Sequence, residues 1–252
     1  MLFLLQIKNI TIGEGRPKIC VSIMGATKEP LIEQAKKANE SPADIVEWRV
    51  DYFNEGTDSK KVIEVLKELQ EVLTDKVLLF TFRTKEEGGE QTISLGAYRD
   101  LYLVVANQGV DMVDLELARV EFLGRAFVQS LKEANTKIVM SSHNFEQTPV
   151  DGDLVFRVNV MKQLGADIGK IATMPKQLQD VLRIMGLVSK VRGFHEMPLA
   201  VMAMGDLGKV TRISGEVTGS VFTFGSLDEA SAPGQIPVEQ LDRILTLLKV
   251  EK

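Results

Sequence analysis

The sequence of 252 residues is poor in the residues that build disulfide frameworks and metal sites. It contains a single cysteine, Cys20, and two histidines, and no Cys-X-X-Cys pair occurs. One cysteine excludes an internal disulfide and suits a reducing compartment. So few thiolate and imidazole ligands argue against a structural zinc site, and we expect no bound metal.

Other absences argue against nucleic-acid, membrane and nucleotide-binding classes. The formal net charge is −5, which leaves no basic excess for nucleic acid or anionic lipid. The apolar start M-L-F-L-L-Q-I-K-N-I is too short to span a bilayer and lacks the basic segment and cleavage site of a signal peptide. No glycine-rich dinucleotide fingerprint or P-loop follows any predicted strand, so no nucleotide cofactor is expected. These features predict a cytoplasmic protein.

Strand-like apolar runs alternate with amphipathic helical runs along the whole chain. The predicted strands span residues 18–24, 44–50, 77–83, 112–117, 137–143, 167–173, 198–204 and 220–225. Between them, apolar residues recur at steps of three and four, as in helices packed on a sheet. Eight strand–helix units in about 250 residues favour an α/β fold of the (β/α)8 TIM barrel type over an open doubly wound sheet. We predict one domain over residues 1–252.

A pair of short strands is predicted before the barrel begins. In the segment I-T-I-G-E-G-R-P-K, Gly13 and Gly15 indicate a turn between two short strands. We therefore expect a short N-terminal β-hairpin that closes the bottom of the barrel, the end where its strands begin.

Lys170 is unusual because it lies in an apolar strand, within G-A-D-I-G-K-I-A-T-M-P. A strand covered on both faces is normally aliphatic, and an unpaired buried ammonium tends to lose its proton. A neutral lysine is a nucleophile that forms a Schiff base with a ketone or aldehyde. The alternative is that Lys170 lies at the strand end and extends its ammonium to water. The strand alone does not decide between the two.

Polar side chains on five consecutive strands are predicted to point into the barrel. Side chains alternate between the faces of a strand, and Trp48 with the aliphatic residues on its face is expected to face the helices. The inward set is then Glu47, Arg49, Asp51, Thr81, Arg83, Asp114, Glu116, Ser141, His143 and Lys170. Most lie near the C-terminal ends of the strands, where barrel active sites are found. An alternative role is that of internal ion pairs that only brace the barrel, formed by Glu47 with Arg49, or by Asp114 and Glu116 with a neighbouring cation.

The two histidines fall at opposite ends of the predicted barrel. His143 shares the C-terminal end with Lys170, which favours a functional role over that of a packed core histidine. His195, in G-F-H-E-M-P, precedes the seventh strand and is expected to be structural.

Seven strings in order carry a resemblance to a known family: E-W-R-V-D, T-F-R-T-K-E-E-G-G-E, S-S-H-N-F, G-A-D-I-G-K-I-A-T-M-P, M-A-M-G, R-I-S-G and S-A-P-G-Q-I. Each string is weak alone. Together they resemble the type I 3-dehydroquinate dehydratases, Schiff-base lyases of the shikimate pathway, over nearly the whole chain. Gly169 and Thr173 depart from the family pattern, which has aliphatic residues there, and Asn144 stands where Asp or His is also familiar.

The resemblance implies a role for each site residue. Lys170 would form the imine with the substrate ketone, His143 would be the general acid/base, and Glu87 would support His143. Glu86 is the adjacent alternative, but Glu87 directly precedes the Gly-Gly pair. Arg212 would hold the substrate carboxylate. The other implied substrate-binding residues are Ser22, Glu47, Arg49, Arg83, Met202, Met204, Phe145, Ser231 and Gln235, the last two on a loop expected to close over the substrate.

The implied reaction is the loss of water from 3-dehydroquinate to give 3-dehydroshikimate, without metal or nucleotide. It would serve as the third step of aromatic amino-acid biosynthesis in a homodimeric enzyme, although the same dehydration also serves quinate breakdown. Two alternatives stay open: another Schiff-base barrel lyase, such as an aldolase acting on sugar phosphates, and a barrel that binds a polar acid without turnover.

Overall fold

The strands and helices follow the predicted alternation in the computed structural model, which describes residues 4–193 and 197–250. The strands are β1 (Leu5–Ile7), β2 (Ile10–Ile12), β3 (Lys18–Ile23), β4 (Ile45–Arg49), β5 (Val77–Thr81), β6 (Met112–Glu116), β7 (Lys137–Asn144), β8 (Ile168–Thr173), β9 (Leu199–Ala203), β10 (Phe222–Ser226) and β11 (Ile236–Pro237). The helices are α1 (Lys28–Glu40), α2 (Ser59–Val72), α3 (Leu95–Ala106), α4 (Leu117–Glu133), α5 (Asp151–Leu164), α6 (Leu178–Val191), α7 (Gly205–Ile213), α8 (Gly215–Thr218) and α9 (Val238–Leu247). His195 lies outside the described residues.

Eight parallel strands, β3 to β10, form the barrel. Each pairs with the next in the order β10-β3-β4-β5-β6-β7-β8-β9. A bridge between Leu199 and Ser220, with the Val221 N–H donating to the Leu199 carbonyl at 2.9 Å, joins the two edges. The predicted TIM barrel is confirmed, and each strand ends within two residues of its predicted bounds. Within residues 4–193 and 197–250, no helix is long and apolar enough to cross a membrane.

Two apolar layers follow from the alternation of side chains along the strands. Trp48 and Phe80 face the helices and join the outer layer, where their rings meet edge to face at 5.7 Å. Such ring pairs contribute about 0.5–1.5 kcal/mol each. Ile45 and Leu79 face the barrel interior and belong to the inner layer. The inner layer fills the lower barrel, so a site can form only above it.

The N-terminal hairpin covers the bottom of the barrel, as predicted. Ile7, Ile10 and Ile12 pack onto the inner layer. The prediction that Gly13 and Gly15 form its turn is wrong. Leu5 pairs with Ile12 and Ile7 with Ile10, which places the turn at positions 8 and 9. The glycines lie in the connection to β3, where their positive φ values of 96° and 67° redirect the chain.

Aspartates at the bottom of the barrel repeat one arrangement. An aspartate directly precedes three alternate barrel strands: Asp44 before β4, Asp111 before β6 and Asp167 before β8. Each carboxylate accepts a backbone N–H from the strand that comes before it in the chain. The donors, each at 2.8 Å, are Ile19, Leu78 and Ile138. Charge at this end therefore satisfies backbone donors and fixes how neighbouring strands start.

Candidate active site

The C-terminal ends of the strands surround a pocket. It is lined by Glu47, Arg49, Arg83, Glu87, Gly88, His143, Phe145, Lys170, Ala172, Met202, Met204, Arg212, Phe224, Ser231, Ala232 and Gln235. Of the predicted site residues only Ser22 is missing from this lining. Its hydroxyl lies directly behind, donating to Glu47 Oε2 at 2.6 Å and lying 3.0 Å from Ser231 Oγ. The structure thus brings the predicted set together.

Lys170 is held from the middle of β8 with its side chain 5% exposed, so it does not extend to bulk water. The nitrogen of this lysine is paired with carboxylates rather than isolated among apolar residues. Its Nζ donates to Asp114 Oδ2 at 2.9 Å and lies 3.5 Å from Glu47 Oε1. The Phe224 ring lies beneath it, with its centroid 4.4 Å from Nζ. Carboxylates and an aromatic face therefore hold this nitrogen in place.

Asp114 and Glu116, whose roles the sequence left open, behave differently. Asp114 contacts Lys170, and its Oδ1 accepts from Arg83 Nη2 at 2.8 Å and from the Ser141 hydroxyl. Glu116 instead accepts the N–H and hydroxyl of Thr84, each at 2.8 Å, and contacts Arg83 at 3.2 Å. Glu116 therefore braces the loop after β5, whereas Asp114 reaches the candidate nucleophile.

His143 and Glu87 form a pair at the end of β7. Glu87 Oε2 lies 2.8 Å from His143 Nδ1 and accepts the His143 backbone N–H at 3.1 Å. Glu86, the alternative partner, points outward and lies 3.4 Å from Arg119. The geometry favours Glu87. Because Glu87 engages Nδ1, proton exchange with a ligand falls to Nε2.

The protonation of this pair follows from burial among charges. Burial lowers the pKa of His143 well below its usual value, and Arg83 and Lys170 lower it further. His143 is therefore a neutral imidazole at neutral pH and can accept a proton. Burial raises the pKa of Glu87 to about 8, Arg83 opposes the rise, and Glu116 and Asp114 add to it.

The three arginines of the pocket differ in their partners. Arg49 makes a bidentate pair with Asp51 at 2.8 and 2.7 Å rather than with Glu47. Arg83 is surrounded by the carboxylates of Asp114, Glu116 and Glu87.

Arg212, on α7, donates to the carbonyls of Pro233 at 2.9 Å and Phe224 at 3.5 Å. Within the described parts of the chain no carboxylate contacts it, and its buried Nε has no hydrogen-bond partner. Burial lowers the pKa of Arg212 to about 10, so it stays charged at neutral pH. A buried cation without a counter-ion is suited to bind an anionic ligand.

The loop after β10 lies over the pocket and presents two polar side chains to it. Ser231 and Gln235 are joined by two hydrogen bonds of 2.9 Å. The Gly205 N–H and Arg212 both donate to the Pro233 carbonyl, at 3.1 and 2.9 Å. Gly234 has a φ of +80°, and a Cβ there would lie 2.3 Å from the Gly205 carbonyl oxygen. Glycine is therefore needed for the loop to sit this close.

Sequence reasoning missed several lining residues. Phe224 is the most important, since its ring underlies Lys170. The alternation in F-T-F-G-S puts Phe224 on the same face as the inner-layer residue Phe222, so a signal was present. Gly88, also missed, has a φ of +82°, and a Cβ there would lie 2.5 Å from the Phe145 ring.

The two departures from the family pattern have local explanations. Gly169 faces the helices, where a Cβ would lie 2.7 Å from Leu199 and 2.9 Å from Met197. These side chains fill the space of the expected aliphatic residue. The Thr173 hydroxyl lies 2.9 Å from that of Thr148, so both are satisfied. Neither departure alters the face of β8 that carries Lys170.

Known proteins match this chain over almost its whole length. The model of the family described as "Type I 3-dehydroquinase" matches residues 19–252. This chain belongs to the type I 3-dehydroquinase family. The prediction that it is an enzyme of the hydro-lyase class is confirmed with it.

Relatives and solved structures of type I 3-dehydroquinases agree with this assignment. The 3-dehydroquinate dehydratases of Clostridioides difficile and Salmonella typhimurium are each 42% identical, covering 96% of this chain and 96% and 97% of their own lengths. The crystal structure of the Clostridium difficile enzyme with covalently modified comenic acid has a TM-score of 0.95 at 41% identity, covering 98% of both chains. The Geobacillus kaustophilus enzyme has a TM-score of 0.94 at 32% identity, covering 98% of this chain and 96% of its own.

Proposed function

We propose that this type I 3-dehydroquinase converts 3-dehydroquinate to 3-dehydroshikimate through an imine on Lys170. Family membership supports the overall reaction, since the curated relatives are named 3-dehydroquinate dehydratase. One observation carries the mechanism. A buried lysine and a histidine whose pKa is lowered face one pocket with Arg212, which no carboxylate of residues 4–193 and 197–250 contacts.

Substrate binding follows from the polarity of the pocket wall. The substrate carboxylate pairs with Arg212, the pocket cation for which the described residues supply no counter-ion. Ring hydroxyls contact the polar groups around it: Glu47, Arg49, Arg83, Ser22, Ser231 and Gln235. Met202, Met204 and Phe145 form the apolar wall. Fixing the ring at several points directs its reacting C–H towards His143.

The first chemical step joins Lys170 to the substrate ketone. The nitrogen loses protons and attacks the carbonyl carbon, and the carbonyl oxygen leaves as water carrying two of those protons. Ammonium plus ketone thus gives a protonated imine plus water, with the same charge on both sides. The protonated imine is an electron sink for the adjacent carbon.

The second step is proton removal and loss of the hydroxyl group. His143 Nε2 takes the proton next to the imine carbon, and the electron pair flows to nitrogen to give a neutral enamine. The protonated histidine then donates this proton to the departing hydroxyl, which leaves as water while the imine re-forms. Addition of water releases the enone product and returns Lys170. General acid–base catalysis of this kind contributes about 10²–10⁴-fold.

A direct assay tests the proposed reaction. Incubation with 3-dehydroquinate should produce a conjugated enone that absorbs in the ultraviolet, whereas sugar phosphates should not react. Aldolases of the barrel class bind phosphate through backbone N–H groups after the seventh and eighth strands. Here that region presents Arg212, Ser231 and Gln235, which suit a carboxylate and hydroxyls. Turnover of a sugar phosphate, or binding of dehydroquinate without turnover, would contradict the proposal.

We propose aromatic amino-acid biosynthesis in the cytoplasm as the role, without metal or nucleotide cofactor. A bacterial strain that lacks its own dehydratase should grow without aromatic amino acids when it expresses this chain. Activity should also survive exhaustive chelation. Failure of a protein that is active in vitro to restore growth would contradict the biosynthetic role.

We further propose that the enzyme is a homodimer. Large apolar side chains are exposed on three neighbouring helices, α4 to α6: Phe122, Phe156, Leu178 and Leu182. Exposed apolar groups on one side of a protein are a common feature of association surfaces. Light scattering on a size-exclusion column should give twice the chain mass, and a monomer at micromolar concentration would contradict this.

A further inference from the structure

Asp114 is a buried carboxylate behind the reacting nitrogen that the proposed mechanism does not use. It is fully buried and lies outside the pocket lining, next to the nitrogen of Lys170. Its two oxygens divide their partners. Oδ2 accepts from Lys170 Nζ at 2.9 Å, and Oδ1 accepts from Arg83 at 2.8 Å and from Ser141.

The reaction moves a positive charge between two groups near this carboxylate. The nitrogen of Lys170 is positive as ammonium and again as protonated imine. When His143 takes the substrate proton, the nitrogen becomes a neutral enamine and the charge lies on His143. Asp114 interacts with both ends of this transfer, since it raises the pKa of His143 against the dominant effects of burial, Arg83 and Lys170. A fixed anion here stabilises the charge at either end.

The geometry points to Asp114 as a further catalytic residue: the counter-ion that keeps the imine on Lys170 protonated. This inference rests on the proposed function, because it needs an imine on Lys170. Asp114 stays on the protein throughout and changes no bond. It acts as a permanent negative charge in a site where water cannot screen it.

The charged groups around Asp114 support a permanent negative charge. Burial raises its pKa, but Arg83 and then Lys170 and His143 outweigh burial, so the pKa of Asp114 lies well below its usual value. Glu87, Cys20 and Tyr102 also interact with Asp114, and the pKa of each is raised, so these groups are mainly uncharged at neutral pH. A carboxylate held this way remains ionised whether the nitrogen of Lys170 is charged or not.

Two neighbouring carboxylates are less suited to this role. Glu47 lies farther from Nζ, at 3.5 Å, and lines the pocket, where its oxygens are bound by Ser22 and Thr81. Glu116 contacts Arg83 but makes no described contact with Lys170. Glu116 is therefore a matched control, because its removal perturbs Arg83 without removing the anion beside the nitrogen.

The experiment traps the imine in three variants and the wild type. Each protein is incubated with 3-dehydroquinate over a range of pH, reduced with cyanoborohydride, which reduces protonated imines, and weighed by mass spectrometry. Asp114→Asn should lose adduct by roughly tenfold or more, since a tenfold change is about 1.4 kcal/mol and breaking a buried ion pair usually costs more. The remaining adduct should disappear at a lower pH than in the wild type.

Matched variants separate the counter-ion from a structural role. Glu116→Gln should keep the wild-type pH profile of adduct formation, and Asp114→Glu, which retains the charge, should recover part of the adduct. One outcome is that the wild type forms the adduct on Lys170 while Asp114→Asn shows the same amount of adduct and the same pH profile. That result would overturn this inference and leave the proposed function intact. No adduct in the wild type would overturn the proposed function and this inference together.

A second measurement needs no variant, in case Asp114→Asn does not fold. In wild-type protein carrying ¹⁵N-lysine, the unreduced imine with the substrate is observed by NMR. Its nitrogen should show the chemical shift and one-bond proton coupling of a protonated imine at neutral pH and above. A neutral imine at neutral pH would overturn the inference.

Discussion

The two ends of the barrel use the same kinds of charged residue for different purposes. At the bottom, Asp44, Asp111 and Asp167 accept backbone N–H groups of neighbouring strands. At the top, carboxylates and cations are arranged around a pocket, and Arg212 is left without a carboxylate partner in the described chain. Charge paired with the backbone specifies the fold, whereas charge left unmatched specifies a ligand.

The exposure of the ion pairs makes the same distinction. In the Lys8–Asp111 pair at the bottom, the side chains are 32% and 17% exposed, and such pairs contribute about 0–1 kcal/mol. In the Arg83–Asp114 pair at the top they are 4% and 0% exposed. Burying such a pair costs desolvation energy that apolar residues would not require. Buried charge at the top therefore adds little to stability, which is consistent with the catalytic role proposed for it.

After the loss of Lys170 itself, the largest expected effect comes from His143→Ala. Turnover should fall by about 10²–10⁴-fold, because the variant lacks the group that moves the substrate proton. The imine on Lys170 should still form and be trapped, and the thermal unfolding midpoint should change little. Near-normal turnover in a steady-state assay would show that another group transfers the proton.

Arg212→Met tests the unmatched cation. Loss of charge-assisted bonds to the substrate carboxylate should raise KM by about 10–100-fold, corresponding to about 1.5–3 kcal/mol. Arg16→Met is the control from the bottom of the barrel, where Arg16 pairs with Asp242 at 2.7 Å. It should leave KM unchanged. Equal KM values for the two variants would contradict the claim that the charged residues at the top of the barrel bind the substrate and those at the bottom do not.

Glu87→Gln tests the buried acid through the pH dependence of stability. The folded-state pKa of Glu87 is raised to about 8, so the folded protein keeps the Glu87 proton more tightly than the unfolded chain does. The contribution of Glu87 to the free energy of unfolding is therefore present at low pH and is lost as the pH rises towards 8. His143, with its lowered pKa, has the opposite effect below about pH 6.5. Between pH ~6.5 and ~8 the wild type should therefore lose about 2 kcal/mol relative to the variant. The free energies of unfolding of wild type and variant are measured with urea at each pH. The same change with pH in both proteins would contradict the assignment.

Asp111→Ala should have the smallest effect and should concern the fold only. It removes the acceptor of the Leu78 N–H and the partner of Lys8. The free energy of unfolding should fall by about 1–2 kcal/mol, while kcat and KM stay at wild-type values. A change in KM would show that the two ends are coupled.

Much of the fold was predictable because periodicity survives in the sequence. Alternation along β4 placed Trp48 outward and Glu47 and Arg49 inward, as observed. The position of the hairpin turn was not predictable from glycine content. The position of the turn follows from the pairing of Leu5 with Ile12. This pairing depends on which isoleucines are buried against the bottom of the barrel. The predicted strand to residue 83 ends at Thr81, because the next N–H, of Phe82, bonds the Tyr102 hydroxyl.

The site was less predictable where it depends on contacts across strands. The pairing of Lys170 with Asp114 joins residues 56 positions apart, and no local pattern indicates which carboxylate reaches the nitrogen. The same limit applies to Glu86 and Glu87. Both lie in the short turn before Gly88, and the geometry of that turn directs Glu86 outward to Arg119 and Glu87 inward to His143.

Reductive trapping with peptide mapping tests the central claim most directly. After incubation with 3-dehydroquinate and borohydride, the account predicts one adduct, on the peptide that carries Lys170, and none on Lys8 at the bottom of the barrel. Lys170→Met should abolish both adduct and turnover, with a loss on the order of 10⁴-fold or more. Full turnover without any adduct, or an adduct on another lysine, would contradict the account.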